Sequence, residues 1–193
     1  MIFGTENDYS SRTIATTMSR SFAKKNTTIQ LGFVRSWDEV FPSSKDWRRD
    51  KNVLTYSANL TQILSPRVVS QFLFSYSDNN GHLSDDYQLV TIDRGTRIDV
   101  VDPIHPDTRA RKALGTRLKV RTDPKSSVEA GYRYYWDTWD VDSHTLSLNY
   151  KRRVSHGTTF GLGLRTYLQG RASFFKPEYT QVEALRTADI KLD

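Results

Sequence analysis

Residues 128–136 read Val-Glu-Ala-Gly-Tyr-Arg-Tyr-Tyr-Trp, and this stretch decides the fold class of the chain. Apolar or aromatic side chains stand at every second position from Val128 to Trp136, and mostly polar or small residues stand between them. A period of two is typical of an extended strand, because successive side chains on a strand point to opposite faces. The stretch therefore predicts a β-strand with one apolar face and one polar face.

The same alternation recurs in seven other segments. They lie at 14–22, 29–33, 54–60, 68–76, 114–120, 146–150 and 160–168. With their flanks they predict eight strands of roughly nine to thirteen residues, whereas an ordinary globular strand has about five or six. A strand that crosses a bilayer at a tilt needs about nine to eleven residues. The predicted fold class is therefore all-β, an antiparallel up-and-down transmembrane β-barrel.

Composition excludes several other classes of protein. The 193 residues carry 28 Lys and Arg against 22 Asp and Glu, a net charge of +6, and the mean hydropathy is −0.61. No window of eighteen residues is predominantly apolar, which excludes a transmembrane helix. The 12% of aromatic residues argues against disorder. Cysteine is absent, so disulfides, thiolate metal sites and cysteine nucleophiles are excluded.

Aromatic residues bound the predicted apolar face at both ends, as they do at the two membrane interfaces of an outer-membrane barrel. One predicted girdle contains Trp37, Tyr76, Tyr134 and Trp136, and the other contains Phe22, Tyr150 and Phe160. Between the girdles, the second to eighth strands carry no charged residue on this face. In the first strand Arg20 interrupts the apolar side, which predicts either a bulge or a position at the strand end, where the charge reaches water.

The opposite face carries the charged residues and is predicted to face the lumen. Its basic row contains Arg117, Lys119, Arg121, Arg133 and Arg165, and Glu129 is the predicted counter-charge. Like charges around a pore set its ion selectivity, so this row could favour anions or an acidic partner segment. Alternatively, the same side chains interdigitate with other residues and fill the interior of a small barrel.

Connections between the predicted strands alternate between short and long, as periplasmic turns and extracellular loops do in outer-membrane barrels. Four are short, at 23–26, 65–67, 122–126 and about 151–157; one, at about 137–142, is intermediate, and the others are long. The first predicted strand runs towards a short turn, so an even strand number needs a strand before Met1. Residues Ala188–Asp193 resemble part of a ninth strand. We therefore expect 1–193 to be a single β-barrel domain, incomplete at both ends, of a barrel with at least ten strands.

Seven short motifs, in this order, resemble a bacterial family catalogued only as domain of unknown function 3570. The motifs are Thr5–Tyr9, Lys25–Thr28, Leu64–Arg67, Arg133–Trp139, Ser143–Thr145, Arg165–Gln169 and Leu185–Asp189. The resemblance covers nearly the whole chain and implies an outer-membrane β-barrel of about twice this length. It implies no activity and no catalytic residue.

Two features of the loop at 137–144 are candidates for a metal site and for a catalytic site. Asp137, Asp140 and Asp142 cluster in one loop and are a weak candidate for a Ca²⁺ site, since hard cations take oxygen ligands; the alternative is a solvated outer loop. His144 could serve a hydrolase at the outer rim, but its neighbour Ser143 is expected to point to the opposite face, and a nucleophile must lie within hydrogen-bond reach of its base.

The sequence thus predicts a bacterial outer-membrane protein that acts as a pore or as a membrane scaffold, with no enzymatic activity and no cofactor. The expected partners are outer-membrane lipid, lipopolysaccharide and a periplasmic or surface protein. Nucleic acid is not an expected partner, because the basic residues form no compact patch with interleaved aromatics. The alternatives are an outer-membrane rim hydrolase and a soluble all-β binding domain.

Overall fold

A computed structural model describes residues 1–193 as a chain built almost entirely of β-strands. The strands are β1 (Ile2–Thr5), β2 (Tyr9–Phe22), β3 (Thr27–Val40), β4 (Arg49–Ser65), β5 (Val68–Gly81), β6 (Val90–Asp93), β7 (Ile98–Val101), β8 (Thr108–Asp123), β9 (Ser126–Asp137), β10 (Asp142–Arg153) and β11 (Thr159–Gln169). The helical residues form two single 3₁₀ turns, η1 (Ala23–Lys25) and η2 (Ile190–Leu192). No helix is long and apolar enough to cross a membrane.

Nine strands form one antiparallel meander in the order β1-β2-β3-β4-β5-β8-β9-β10-β11. The prediction of an all-β antiparallel fold is confirmed. Eight of these strands contain the eight alternating segments. They are 11 to 17 residues long, and several exceed the predicted nine to thirteen residues. These strands continue beyond the uncharged part of the apolar face to charged positions such as Arg35 and Lys112. The two edge strands, β1 and β11, do not pair with each other, so the sheet is not a closed barrel.

Three elements differ from the sequence prediction. Residues Ile2–Thr5 already form a strand, which pairs with Ser10–Thr13 through a tight connection. The long connection between β5 and β8 holds a separate hairpin, in which β6 pairs with β7. Residues Ala188–Asp193 form no strand. They end in η2, where the Asp189 side chain accepts a hydrogen bond from the backbone N–H of Lys191 at 3.0 Å, so this part of the prediction was wrong.

The two ends of the sheet differ in their connections. At one end the turns are short, with two residues between β4 and β5 and two between β8 and β9. At the other end lie the connections 41–48, 82–107 and 138–141 and the tail 170–193, which pack together. We call this assembly the cap. The longest connections therefore lie at the cap end, but the predicted strict alternation of short and longer connections is not present. The connection 138–141 at the cap end has four residues, as 23–26 has at the other end, and 154–158 at that other end has five.

The strand register places the alternating residues of all long strands on two faces, and it shifts only near the short turns, between Ile63 and Ser65 and between Arg121 and Asp123. The apolar face aligns, for example, Phe72, Thr116, Tyr132 and Leu146 in adjacent strands. The register between β2 and β3 shows no bulge, so Arg20 lies on the apolar face near the short-turn end. Its guanidinium stacks over Phe22 at 5.2 Å from the ring centroid. Of the two predicted explanations for Arg20, the structure shows the end position.

The sheet curls with the polar face on its concave side. A cavity of about 530 Å³ is lined by residues from all eight long strands, including Thr17 of β2 and Arg165 of β11. In a flat sheet the first and last of eight strands would be roughly 34 Å apart, at about 4.8 Å per strand. Only a strongly curled sheet can bring these strands to one cavity.

The buried apolar residues lie mainly in the cap and not under the sheet. Trp139, Val141, Ala172 and Leu192 form one cluster, and Val90, Ile92 and Tyr179 form another. The apolar face of the sheet is left uncovered: Leu164 is 65% exposed and Leu168 is 72% exposed. This chain therefore contains no second layer that packs on the apolar face.

Gly81 allows the last residue of β5 to turn into the cap. Its φ is 108°, a conformation that L side chains rarely adopt, and an added Cβ would lie 2.2 Å from the carbonyl oxygen of Asp50. We expect Gly81→Ala to lower the free energy of unfolding by about 1–3 kcal/mol, measured by chemical denaturation. Gly157→Ala is the control, because no atom lies within 4 Å of its Cβ position. Equal stability of the two variants would contradict this role of Gly81.

Candidate functional site

The polar, concave face of the sheet carries the positive charge of the protein. In the register of the long strands this face holds eleven Lys and Arg against three Asp and Glu, a net charge of +8. The remaining residues then carry 17 Lys and Arg against 19 Asp and Glu, a net charge of −2. The basic residues are Arg49, Lys51, Arg109, Arg111, Arg117, Lys119, Arg121, Arg133, Lys151, Arg153 and Arg165, and the acidic ones are Asp38, Glu129 and Asp137.

The structure places the five residues of the predicted basic row and the predicted counter-charge, Glu129, on this face. In the strand register Arg117 lies opposite Gly131, Lys119 opposite Glu129 and Arg121 opposite Ser127. Arg133 lies opposite Gly115, and Arg165 lies opposite Ser147. The Nε atom of Arg117 is 3.5 Å from a carboxylate oxygen of Glu129, so the predicted counter-charge contacts one member of the row.

Small residues keep the middle of the polar face open. A Cβ on Gly32 would meet the hydroxyl of Ser57 at 2.4 Å, and a Cβ on Gly131 would meet the hydroxyl of Ser147 at 2.7 Å. These positions line the cavity of about 530 Å³. Because short side chains occupy the space beside the backbone, the cavity remains unfilled, and Arg117, Arg133 and Arg165 form part of its wall.

The charge is unevenly distributed between the two halves of the sheet. At mid-depth, the β2–β5 half presents uncharged residues such as Thr17, Gln30, Asn59 and Ser75 to the cavity. The β8–β11 half presents three arginines. The positive potential in the cavity therefore comes from one wall, and the opposite wall offers neutral hydrogen-bonding groups.

The predicted aromatic girdles both lie on the apolar face. At the cap end, Tyr134 stacks on Trp136 with ring centroids 5.1 Å apart, and Arg35 lies over Trp37 at 5.3 Å. At the short-turn end the register places Phe160 opposite Arg152 and Tyr150 opposite Leu162. Phe22 and Tyr76 occupy the same face. Arginines thus accompany the aromatic residues at both ends of the uncharged part of this face.

Asp137, the last residue of β9, connects the cap to the sheet through its carboxylate. Its side chain is fully buried, and Arg109 donates to its Oδ2 atom from Nε at 2.8 Å and from Nη2 at 2.6 Å. Tyr135 donates to the same oxygen, and the backbone N–H of Trp139 donates to Oδ1 at 2.8 Å. The carboxylate therefore joins the end of β8 to the β9–β10 connection.

The three carboxylates of the candidate metal loop do not converge. Asp140 has a left-handed backbone with φ of 64° and an exposed side chain, whereas Asp142 approaches His144, with 3.7 Å between Oδ2 and Nε2. No group of three or more His, Asp or Glu side chains in the chain is arranged to hold a metal ion. The loop spacing suggested a cluster, but burial of Asp137 against Arg109 separates its carboxylate from the other two.

His144 lies on the apolar face, where the Tyr132 hydroxyl is 2.7 Å from its Nδ1 atom. The register places Ser143 on the polar face opposite Tyr135, and the serine is buried. The sequence prediction that these two neighbours point to opposite faces therefore agrees with the register, and the structure does not bring Ser143 into hydrogen-bond contact with His144.

Sequence reasoning missed the role of His105, which lies inside the cap. Its ring packs edge-on against Trp139, with centroids 5.3 Å apart, and against Phe174 at 5.5 Å. Nδ1 is 3.1 Å from the carbonyl oxygen of Leu83, and the buried Nε2 has no partner. The flanking prolines at 103 and 106 indicated a stiff segment, but no local pattern indicated that the histidine would be enclosed.

The cap lies over one end of the polar face, where a second cavity of about 660 Å³ opens between the cap and the sheet. Its wall combines residues from the polar face, such as Lys51 and Arg111, with cap residues, such as His105 and Asp85. Glu6 near the start of the chain and Asp189 near its end line the same cavity. The cap therefore covers the mouth of the concave face at the long-loop end.

A family model described as protein of unknown function (DUF3570) matches residues 43–190. The match covers most of the chain, and the chain belongs to this family. No curated protein and no solved structure matches the chain.

Burial makes the cap sensitive to pH through His105. Burial lowers the pKa of His105 below the ordinary value of 6.5, and Arg109 adds to this effect, while the Leu83 carbonyl and the Asp189 and Asp85 carboxylates oppose it. The unfolded cap therefore binds more protons than the folded cap between the lowered pKa and about 6.5. Cap stability is complete above this window and falls as the pH falls through it.

We expect amide exchange in the cap, corrected for the intrinsic rate at each pH, to accelerate between pH 7.5 and pH 5. The Ile104 and Ser173 amides are suitable probes, since each donates to a carbonyl oxygen at 2.9 Å. His105→Asn should remove most of this pH dependence, because it keeps a side-chain N–H donor but cannot titrate in this range. His156→Asn, at an exposed turn, is the control. An unchanged pH profile in His105→Asn would contradict the assignment.

Proposed function

We propose that this member of the family is a bacterial outer-membrane β-barrel protein that is not an enzyme. The observation that carries the proposal is the uncovered apolar face of a curled antiparallel sheet. Soluble proteins rarely expose large contiguous apolar surfaces, whereas lipid requires one. The proposal places this face against lipid acyl chains and the polar face against water.

The dimensions of the apolar face support this placement. On β9 the apolar or aromatic positions run from Val128 to Trp136, and on β11 from Phe160 to Leu168. Eight residue steps at about 3.4 Å give roughly 27 Å along the strand. A strand tilt near 40° reduces this to about 21 Å, close to the apolar band of outer-membrane barrels at roughly 25 Å. The aromatic girdles lie at the two ends of this length.

A soluble all-β binding domain is a weaker interpretation of the same geometry. A soluble sandwich buries its apolar face against a second sheet about 10 Å away. Here the second sheet consists of β6 and β7, with four residues each. It packs with Tyr179 of the tail in the cap, and it does not cover the long strands.

The asymmetry of the connections gives the proposed orientation. Short turns face the periplasm and longer loops face outward in barrels of this kind. The cap would then lie at the cell surface, beside lipopolysaccharide, and the short turns would be available to a periplasmic protein. The basic concave face would line a water-filled path, so the role proposed for the protein is a pore, with a membrane scaffold as the alternative.

Placement of the apolar face in lipid can be tested by a pair of arginine substitutions on β10. Leu146→Arg puts a charge at the middle of the apolar face and should destabilise folding into lipid by about 2–4 kcal/mol. Asn149→Arg adds the same charge on the polar face opposite Glu129 and should cost far less. The measurements are membrane fractionation, heat-modifiable gel migration and equilibrium folding into vesicles.

Extraction of the wild-type protein from cells without detergent would refute the membrane placement. Equal effects of Leu146→Arg and Asn149→Arg on folding into vesicles would refute the assignment of the two faces.

The pore role predicts anion selectivity in planar bilayers. Arg133→Gln combined with Arg165→Gln removes two charges from the cavity wall and should move the Cl⁻/K⁺ permeability ratio clearly towards one. Arg94→Gln combined with Arg97→Gln removes two charges from the β6–β7 hairpin, where both arginines pair with Asp99, and should leave the ratio unchanged. Absence of channels in correctly folded protein would refute the pore and leave the scaffold.

A further inference from the structure

Two neighbouring turns and the adjacent ends of β8, β9 and β10 bring five basic side chains around one polar cavity at the short-turn end. The cavity measures about 370 Å³, and no acidic residue lies in its wall. Two prolines and two serines complete the wall. The basic residues are Arg67, Lys119, Arg121, Lys125 and Arg153.

None of the five basic side chains forms a salt bridge within the chain. Asp123, the acidic residue nearest in sequence, accepts a hydrogen bond from the backbone N–H of Lys125 at 2.8 Å and so stabilises the turn itself. Like charges held close together repel one another. An anion in the cavity would remove this repulsion, and no acidic residue lines the cavity.

The geometry of the site is set by rigid backbone. Pro66 and Pro124 are each the first residue of a two-residue turn, and a basic residue follows each proline. Proline fixes φ at the value that this turn position requires. Both turns flank the paired strands β5 and β8, so Arg67 and Lys125 project from equivalent places in adjacent turns.

Backbone hydrogen bonds join each of the two turns to the end of a neighbouring strand. The N–H of Arg121 donates to the carbonyl oxygen of Arg67 at 2.7 Å, and the N–H of Arg153 donates to that of Lys125 at 2.8 Å. The guanidinium of Arg121 also donates to the carbonyl oxygen of Pro66 at 3.2 Å. The basic residues are therefore attached to a hydrogen-bonded frame, while their side chains remain exposed to an incoming ligand.

We propose that this cavity binds a small soluble solute of the phosphate class that carries more than one anionic group. Arginine and lysine are the usual protein partners of phosphate oxygens, and five cations exceed what one carboxylate would neutralise. The cavity of about 370 Å³ opens to solvent and leaves room for a polyphosphate. The proposal rests on the geometry of the turns and not on the membrane location of the protein.

A phosphate of a lipid headgroup is the other source of the same chemistry, and the strand register argues against it. Lys119, Arg121 and Arg153 lie on the polar face, whereas lipid would approach the apolar face. On that face the short-turn end presents Arg20 and Arg152, which do not line this cavity. A lipid phosphate would therefore meet a different set of arginines.

The site can be tested by isothermal titration of the whole protein with tripolyphosphate. Wild type should show saturable binding at one site, and Arg121→Gln combined with Arg153→Gln should weaken it at least tenfold. The control, Arg94→Gln with Arg97→Gln, removes the same total charge from the β6–β7 hairpin and should change the affinity less than twofold. Circular dichroism and heat-modifiable migration establish that each variant is folded.

Two outcomes would overturn the proposal in folded protein: absence of saturable binding to wild type, and equal weakening by the two double substitutions. A third is displacement of tripolyphosphate by phosphatidylglycerol vesicles in a manner that depends on Arg121 and Arg153, which would assign the site to lipid. If the protein can be extracted without detergent, the same titration is made in buffer. The test of the anion site therefore does not depend on the membrane proposal.

Discussion

The continuous antiparallel hydrogen-bond ladder from β1 to β11 is the constraint on which the rest of the structure depends. Each long strand alternates its side chains between two faces, and the ladder aligns these faces across the whole sheet. A slip of one residue in any strand would move its leucines to the basic face and its arginines to the apolar face. The meander fixes most of this register locally, because each strand of the sheet after β1, except β8, pairs with the strand that directly precedes it in the chain. β8 pairs with β5 across the long connection 82–107.

The ladder also explains which features could be predicted from the sequence. A period of two identifies a strand and both of its faces at once, so the eight long strands and the shared face of Arg117, Arg133 and Arg165 follow from local pattern. The residues at which each strand begins and ends are less clearly indicated by the sequence. The strands extend into charged positions at the cap end, since backbone pairing continues where the side-chain pattern no longer indicates a buried or lipid-facing strand.

The cap was less predictable, because its structure depends on contacts between distant segments. Residues Ala188–Asp193 alternate as a strand would, yet Leu192 is buried with Trp139 and Ala172, and the Ala172 N–H donates to the Leu192 carbonyl oxygen. Asp137 looked like a metal ligand by spacing, and its burial against Arg109 became evident only when β8 and β9 were paired. Within the cap, the β6–β7 hairpin is the element with a local sequence feature that indicates a turn. This feature is Gly95, which has a φ of 77°.

The charge of the concave face indicates whether its basic residues fill a packed interior or face water. If its basic residues merely filled the interior, acidic partners would have to lie among them, since unpaired buried charges are costly. Of the three acidic residues on this face, Asp137 is paired with Arg109, and Asp38 accepts hydrogen bonds from Ser11 and Ser36 at the cap end. Glu129 alone is left at mid-depth, beside Arg117. Because there are so few counter-charges, a hydrated face that attracts anions is a better interpretation than a packed interior. The small residues around Gly32 and Gly131, which leave the cavity open, favour the same interpretation.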